Sequence, residues 1–216
     1  MRDAPWLAQL LEPFGLSLGE IEVTQLLAYL NLLIRWNQHV NLVASASAEV
    51  WVWRHFAESL YLARRWTLRG RLLDVGSGAG FPALPLKITF PALSVTLLEP
   101  TGKKRAFLKE VIRKCRLSDV DVRSERLADF GVERGPFDSI TSRAVGKFGE
   151  IVPRAAKLLG HDGRIFLWVS SRQRVELDAV SKWVDWGAPL DIPGTDHSQI
   201  WAGIRRLSVL EYPPSP

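Results

Sequence analysis

Cysteine and methionine are almost missing from this chain, with one of each in 216 residues. A lone Cys115 excludes an intrachain disulfide, and a chain of this length buries a full core without a staple. The four histidines, His39, His55, His161 and His197, do not fall at metal-ligand spacing with Cys115 or with one another, so no metal is expected. No Ser-His-Asp or Cys-His signature of a nucleophilic enzyme is present. No apolar run approaches the roughly 20 residues that span a bilayer. Met1-Arg2-Asp3-Ala4-Pro5-Trp6 lacks the basic start, apolar stretch and small-residue cleavage site of a secretory leader. The expectation is a cytoplasmic protein with no membrane partner. Nothing in the pattern demands a second subunit, so a monomer is expected.

Internal repeats are also absent. Low complexity is confined to Pro213-Pro214-Ser215-Pro216, read as a frayed tail over 213–216. The formal net charge of +5 is local in origin. Residues 1–70 carry six basic and six acidic groups, whereas 101–126 carry nine against four, which accounts for the whole excess. Such a cluster attracts phosphates. It is equally read as the solvated face of a helix.

The chain changes character near residue 70. Before it, Leu26, Leu27, Leu30, Leu33 and Ile34 recur at three-and-four spacing, which predicts an amphipathic helix. Phe56, Leu60 and Leu62 carry a second apolar pattern, and the polar stretch Asn37–Ala48 is a loop between them. Residues 1–68 are therefore a helical extension. After it, strand and helix patterns alternate over 69–212. Strands are predicted at Leu72–Val75, Ser94–Leu98, Val120–Val122, Phe137–Thr141, Arg164–Val169 and Ile200–Leu210. Helices are predicted at Pro82–Thr89, Gly102–Cys115, Phe148–Leu159 and Gln173–Val184. Alternation of this kind makes an α/β fold with a doubly wound, mostly parallel sheet.

The first strand runs into Asp74-Val75-Gly76-Ser77-Gly78-Ala79-Gly80-Phe81. Glycines allow a tight turn and close approach of a ligand to the backbone, and the following helix start offers unpaired N–H groups. A dinucleotide fingerprint is spaced G-x-G-x-x-G. Here the spacing is G-x-G-x-G, with Phe81 at the third-glycine position and an acid, Asp74, just before the loop. S-adenosylmethionine carries no pyrophosphate, and an acid beside its ammonium and sulfonium is favourable. The loop therefore favours that methyl donor over NAD. Glu99 ends the next strand, 19 residues after Gly80, where a carboxylate accepts ribose hydroxyls. Asp74, Gly76, Gly78, Gly80, Phe81 and Glu99 form the expected cofactor set.

Further motifs share this order. They are Trp36-Asn37 with Asn41-Leu42, Arg54-His55 with Glu58-Ser59-Leu60, Asp74–Pro82, Leu98-Glu99 with Gly102-Lys103-Lys104-Arg105, and Ser142-Arg143-Ala144. Together they resemble the RsmG (GidB) family, bacterial methyltransferases that make N7-methylguanine in 16S ribosomal RNA, over about residues 10–210. The resemblance implies a Rossmann-like, seven-stranded class I methyltransferase core. It implies that Leu127 and Ala128 meet the adenine and that Arg143 stands between cofactor and target base, as the catalytic residue. It also implies that Asn37, Arg54, His55, Lys103, Lys104 and Arg105 face the RNA, with 16S ribosomal RNA or the small subunit as partner. The chain departs from the family at Val43, at Trp168 and at Asp196, the last two removing basic groups.

Several residues have plainer readings. His55 is also read as a half-buried histidine satisfied by hydrogen bonds. Cys115 is read as packing. Most of the nine tryptophans are expected in the core. Trp53, beside Arg54-His55, is a candidate for stacking on a base, and Trp168 is read either as core or as pocket lining. A methyltransferase for a small molecule or protein, and a non-catalytic binder of the cofactor, are the alternative functions.

Overall fold

The computed structural model describes residues 2–143, 146–170, 173–195 and 198–206. Two helices open the chain. Helix α1, Ala4–Leu11, is capped by Asp3, whose carboxylate accepts the Trp6 N–H at 3.1 Å. Helix α2, Glu20–Asn37, buries Leu26, Leu30 and Leu33 of the predicted stripe together with Tyr29 and Leu32, while the predicted Leu27 and Ile34 are half-buried. After a loop come α3, Ala48–Trp51, a wide π-type turn over Val52–Ala57, and the short α4, Glu58–Leu60.

From Arg71 the chain alternates. The elements are β1 (Arg71–Val75), α5 (Ala83–Thr89), β2 (Ser94–Leu98), α6 (Gly102–Lys114), β3 (Val120–Arg123), β4 (Phe137–Arg143), α7 (Phe148–Leu158), β5 (Leu159–Ser170), α8 (Arg174–Asp178), β6 (Val184–Trp186), β7 (Leu190–Asp191) and β8 (Ser198–Arg205). The strands form one sheet in the order β3-β2-β1-β4-β5-β8-β6, with β7 also on β8. Strands β1 to β5 are parallel, and β8 runs against β5. The α/β, doubly wound expectation is met.

An eighth strand replaces the expected seven for a local reason. β6 pairs with Arg205, Ile204 and Gly203 of β8, and β7 continues with Ile200 and Gln199. They are one edge strand interrupted at 187–189, where Pro189 has no N–H to give. The predicted helix Gln173–Val184 stops at Asp178. Val184 instead lies flat over Gly203, so close that a Cβ on Gly203 would sit 2.1 Å from a Val184 methyl. Strand β5 begins five residues earlier than predicted, directly after α7, because Leu159 pairs with Phe137. The strand predicted to Leu210 is described to Arg205; the rest lies outside the described residues.

Side chains alternate across the sheet and build two cores. Leu72, Val95, Leu97, Phe166 and Trp168 face α5, α6 and the N-terminal helices. Leu73, Val75, Leu98, Ile140, Ile165 and Leu167 face α7 and α8. The extension of residues 1–68 thus shares a core with the sheet. Strand order reverses between β1 and β4, and a ligand crevice is expected at the carboxyl ends of those strands.

Candidate active site

The glycine loop lies in that crevice. Gly76, Gly78 and Gly80 take positive φ of 73°, 54° and 93°, which explains the residue type at each. Gly76 and Ser77 donate their N–H groups to the Leu98 carbonyl, both at 3.0 Å, so the loop is tied to β2. A Cβ at Gly80 would meet Leu84 Cδ1 and Tyr29 Oη at 2.6 Å each. Tyr29 donates its hydroxyl to the Ala79 carbonyl, so α2 supports the loop from beneath.

Both expected acids are buried. Asp74 accepts the Thr141 hydroxyl through Oδ1 at 2.6 Å. Its Oδ2 has no hydrogen-bond partner among the described residues. Burial pushes this carboxyl up to about 7, although the hydrogen bond from Thr141 opposes the rise; the Ser77 hydroxyl donates to the Asp74 backbone carbonyl at 3.2 Å. Glu99 accepts the Gly78 N–H at 2.8 Å and the Thr101 N–H at 2.8 Å, locking the acid to the loop.

Beside the loop is a cavity of about 640 Å³. Gly76, Leu98, Leu127, Ala128, Ile151 and Arg154 are among its walls. Leu127 and Ala128 belong to one 3₁₀ turn, held to α7 by Arg154, which donates to the Ala128 carbonyl. The volume falls within the range of small-molecule sites, roughly 300–1,000 Å³. Of the residues expected to hold a cofactor, Gly76, Leu127 and Ala128 line this mostly apolar space, whereas Asp74, Gly78, Gly80, Phe81, Glu99 and Arg143 are not among its walls.

On the other side of the loop, Phe81 is sandwiched. Tyr29 stacks on it with centroids 5.3 Å apart and planes within 8°, and His55 stacks at 5.0 Å and 23°. His55 is held neutral: burial, then Arg143 and Arg54, take it down to about 3. Arg143, at the end of β4, donates to Glu58 Oε2 at 2.8 Å, to the His55 carbonyl at 3.4 Å and to the Arg54 carbonyl. Arg143 thus binds two backbone carbonyls of the π-type turn, that of His55 being shared with the Glu58 N–H and the Ser59 hydroxyl. Burial raises the Glu58 carboxyl, while Arg143 and Arg54 lower it. Trp168 Nε1 donates to the Glu58 carbonyl at 2.9 Å, so Trp168 is a core anchor of this turn.

Of the residues expected on the RNA side, His55 is half-buried against Phe81, and the others divide into two groups. Arg54 is exposed on the wide turn, and Lys103 is exposed at the start of α6 with Lys104 half-buried behind it. Asn37 and Arg105 are committed to the fold. Asn37 Oδ1 accepts the Leu42 and Val43 N–H groups at 2.9 and 3.0 Å, and its Nδ2 donates to the Val43 carbonyl at 3.1 Å. Arg105 donates to the carbonyls of Glu99 and Pro100 at 3.0 and 2.6 Å. Cys115 is buried, and burial pushes its thiol up to about 11. Asp196 lies outside the described residues.

Two supporting residues escaped the sequence reading. Thr141 was legible only as a polar position two before Arg143 on the same strand, and Tyr29 sits inside a helical apolar stripe. Glu58 was quoted within a family motif, but its pairing with Arg143 was not foreseen.

A family model described as rRNA small subunit methyltransferase G, GidB, matches residues 22–186. A protein of that name from Chloroflexus aggregans is 46% identical over 156 residues, covering 70% of this chain and 66% of the relative. Its counterpart from Roseiflexus castenholzii is 36% identical over 194 residues, covering 85% and 83%. Among solved structures, a ribosomal protein L11 methylase from Lactobacillus delbrueckii subsp. bulgaricus superposes with TM-score 0.59 at 18% identity, covering 69% of this chain and 79% of that one. The tRNA (m1A58) methyltransferase TrmI from Aquifex aeolicus also reaches 0.59, at 16% identity, covering 69% and 68%. At such identities the structural likeness shows the fold.

Proposed function

The chain belongs to the GidB family, and from that premise we propose that it transfers a methyl group from S-adenosylmethionine to N7 of a guanine in 16S ribosomal RNA. The observation that carries the reading is the cavity at the β1/β4 switch point, walled by Gly76, Leu127 and Ala128. A methyltransferase for a small molecule or protein has no comparable support.

The residues present fit the cofactor. Asp74 keeps a carboxylate oxygen without a protein partner, which suits a cationic ligand. Glu99 has each oxygen occupied once by a backbone N–H and retains lone pairs for hydroxyls. The apolar wall of Leu127 suits a flat purine. When bound, the cofactor supplies an electrophilic methyl on a sulfonium.

Guanine N7 carries a lone pair in the neutral base, so the chain need not remove a proton. Its task is placement. Methylation at N7 would leave the purine positively charged. A protonated histidine here would oppose that product, and His55 is kept neutral. Arg143 holds the wide turn against the end of β4, and we assign it the role of fixing the acceptor side relative to the loop, with its remaining donors directed to guanine O6 or a phosphate.

Methyl transfer from labelled cofactor to 16S RNA and to assembled small subunits, with the product nucleoside identified, tests the reading. N7-methylguanosine is the expected product, and cofactor binding without transfer to either substrate overturns the proposal. Arg143→Lys keeps a charge opposite Glu58 but cannot bridge three acceptors. We expect it to lower transfer by about tenfold or more while cofactor affinity stays within about threefold.

A further inference from the structure

The wide turn has two faces, and the catalytic reading uses one. Its inner face presents His55 and Phe56 to Phe81, with ring centroids at 5.0 Å in both pairs. Its outer face carries Trp53 and Arg54, both exposed. Nine tryptophans occur in the chain, and Trp53, 43% exposed, is the one that the fold leaves in solvent. Trp51 and Trp168, nearby in sequence or space, bury their rings and donate their indole N–H to the Ala44 and Glu58 carbonyls at 2.9 Å each. Trp53 has no such bond among the described residues. Val50, three positions before Trp53 and 38% exposed, extends the apolar surface by one helical turn.

This exposed ring is not on a loose segment. The Arg54 carbonyl next to it is held by Arg143, and the turn is further anchored through Glu58 to Trp168 in the sheet. An exposed indole on an anchored turn, next in sequence to an exposed guanidinium and a few residues from the site, has the composition of a single-stranded nucleic-acid platform. Rings stack on any base, and a neighbouring arginine takes the phosphate. Lys103, in the first turn of α6, is also exposed and carries charge of the same sign.

We infer that the outer face of the wide turn is an RNA-docking surface, on which Trp53 stacks on an unpaired base flanking the target guanine and Arg54 contacts the adjoining phosphate. This inference rests on the RNA-methyltransferase reading. It adds a subsite that reads the strand next to the reacting base, separate from the cofactor cavity.

The test compares wild-type protein with Trp53→Ala, Trp53→Phe and Arg54→Ala. Two probes are used: a 16S RNA transcript for binding and methyl transfer, and a mixed-sequence single-stranded oligoribonucleotide for binding. Trp53→Ala should weaken both RNAs by about tenfold and raise the RNA KM to match, with cofactor affinity unchanged. Trp53→Phe keeps a ring and should recover most of that loss. Arg54→Ala should reduce the slope of log affinity against log salt by about one. RNA binding that Trp53→Ala leaves intact overturns the inference, as does a defect seen on assembled subunits but not on naked RNA, which would mark a protein partner. Methyl transfer preserved alongside intact binding by Trp53→Ala removes the docking surface and keeps the reaction. Trp53-dependent RNA binding without any methyl transfer keeps the surface and removes the reaction.

Discussion

Asp74 is a carboxylate sealed inside the sheet with one oxygen satisfied and the other not. Its ordinary value of 3.8 rises to about 7 through burial. Between those two values the folded chain holds a proton that the unfolded chain has lost, so stability falls as pH rises through that window. Asp74→Asn cannot titrate. Denaturation at pH 5 and pH 8 should show the wild type losing on the order of 2–4 kcal/mol over that interval and the variant little. A bound cation beside Asp74 favours ionisation, so cofactor affinity should climb with pH towards about 7 in wild type and stay flat in Asp74→Asn. Parallel pH profiles for the two proteins would remove Asp74 from the cofactor site. At this scale the sequence was informative where chemistry is local. Asp74 and Glu99 flank a glycine loop and announce themselves by position. Arg143, Glu58 and Trp168 were reached only through the family resemblance, and their contacts with one another were not legible, because these join residues 85 and 110 positions apart.

The glycine loop shows how an element enforces its own composition. Gly80 combines a φ of 93° with a Cβ direction blocked by Leu84 and Tyr29. Gly80→Ala strains the backbone and displaces the Tyr29 hydroxyl from the Ala79 carbonyl. We expect a loss of about 2–4 kcal/mol of stability and at least about tenfold weaker cofactor binding. Titration calorimetry and thermal melts check this, and an unchanged cofactor affinity would show that the loop tolerates the shift. Strands β1 and β2 and helix α6 were readable from their apolar patterns because β1 lies between Gly70 and Gly76, β2 between Pro91 and Glu99, and α6 runs from Gly102 to a basic end. The edge pair β6 and β7 was not. Three and two residues long, they exist through pairing with β8 and through the space that Gly203 leaves for Val184.

Across the whole molecule, the boundary drawn near residue 68 separates sequence patterns and not packing units. Leu7, Leu30, Leu33 and Phe56 of the extension lie in the same core as Leu72, Leu97 and Phe166 of the sheet. Full-length protein should therefore unfold in one transition by circular dichroism and by tryptophan fluorescence. Two separated transitions would restore an independent helical domain. Among the described residues no helix is long and apolar enough to cross a membrane.

The Phe81 ring has a consequence at this largest scale. One face lies on Tyr29 of the extension and another on His55 of the wide turn, while its backbone belongs to the glycine loop. A guest that shifts the loop shifts His55, and a guest that shifts the turn shifts Phe81. Thermodynamic linkage then requires donor and acceptor to change each other's affinity by one common factor. On the proposed placement of donor and RNA, this single aromatic ring would let the two substrates sense each other, and the spent donor, by leaving or staying, would set how firmly the finished RNA is held.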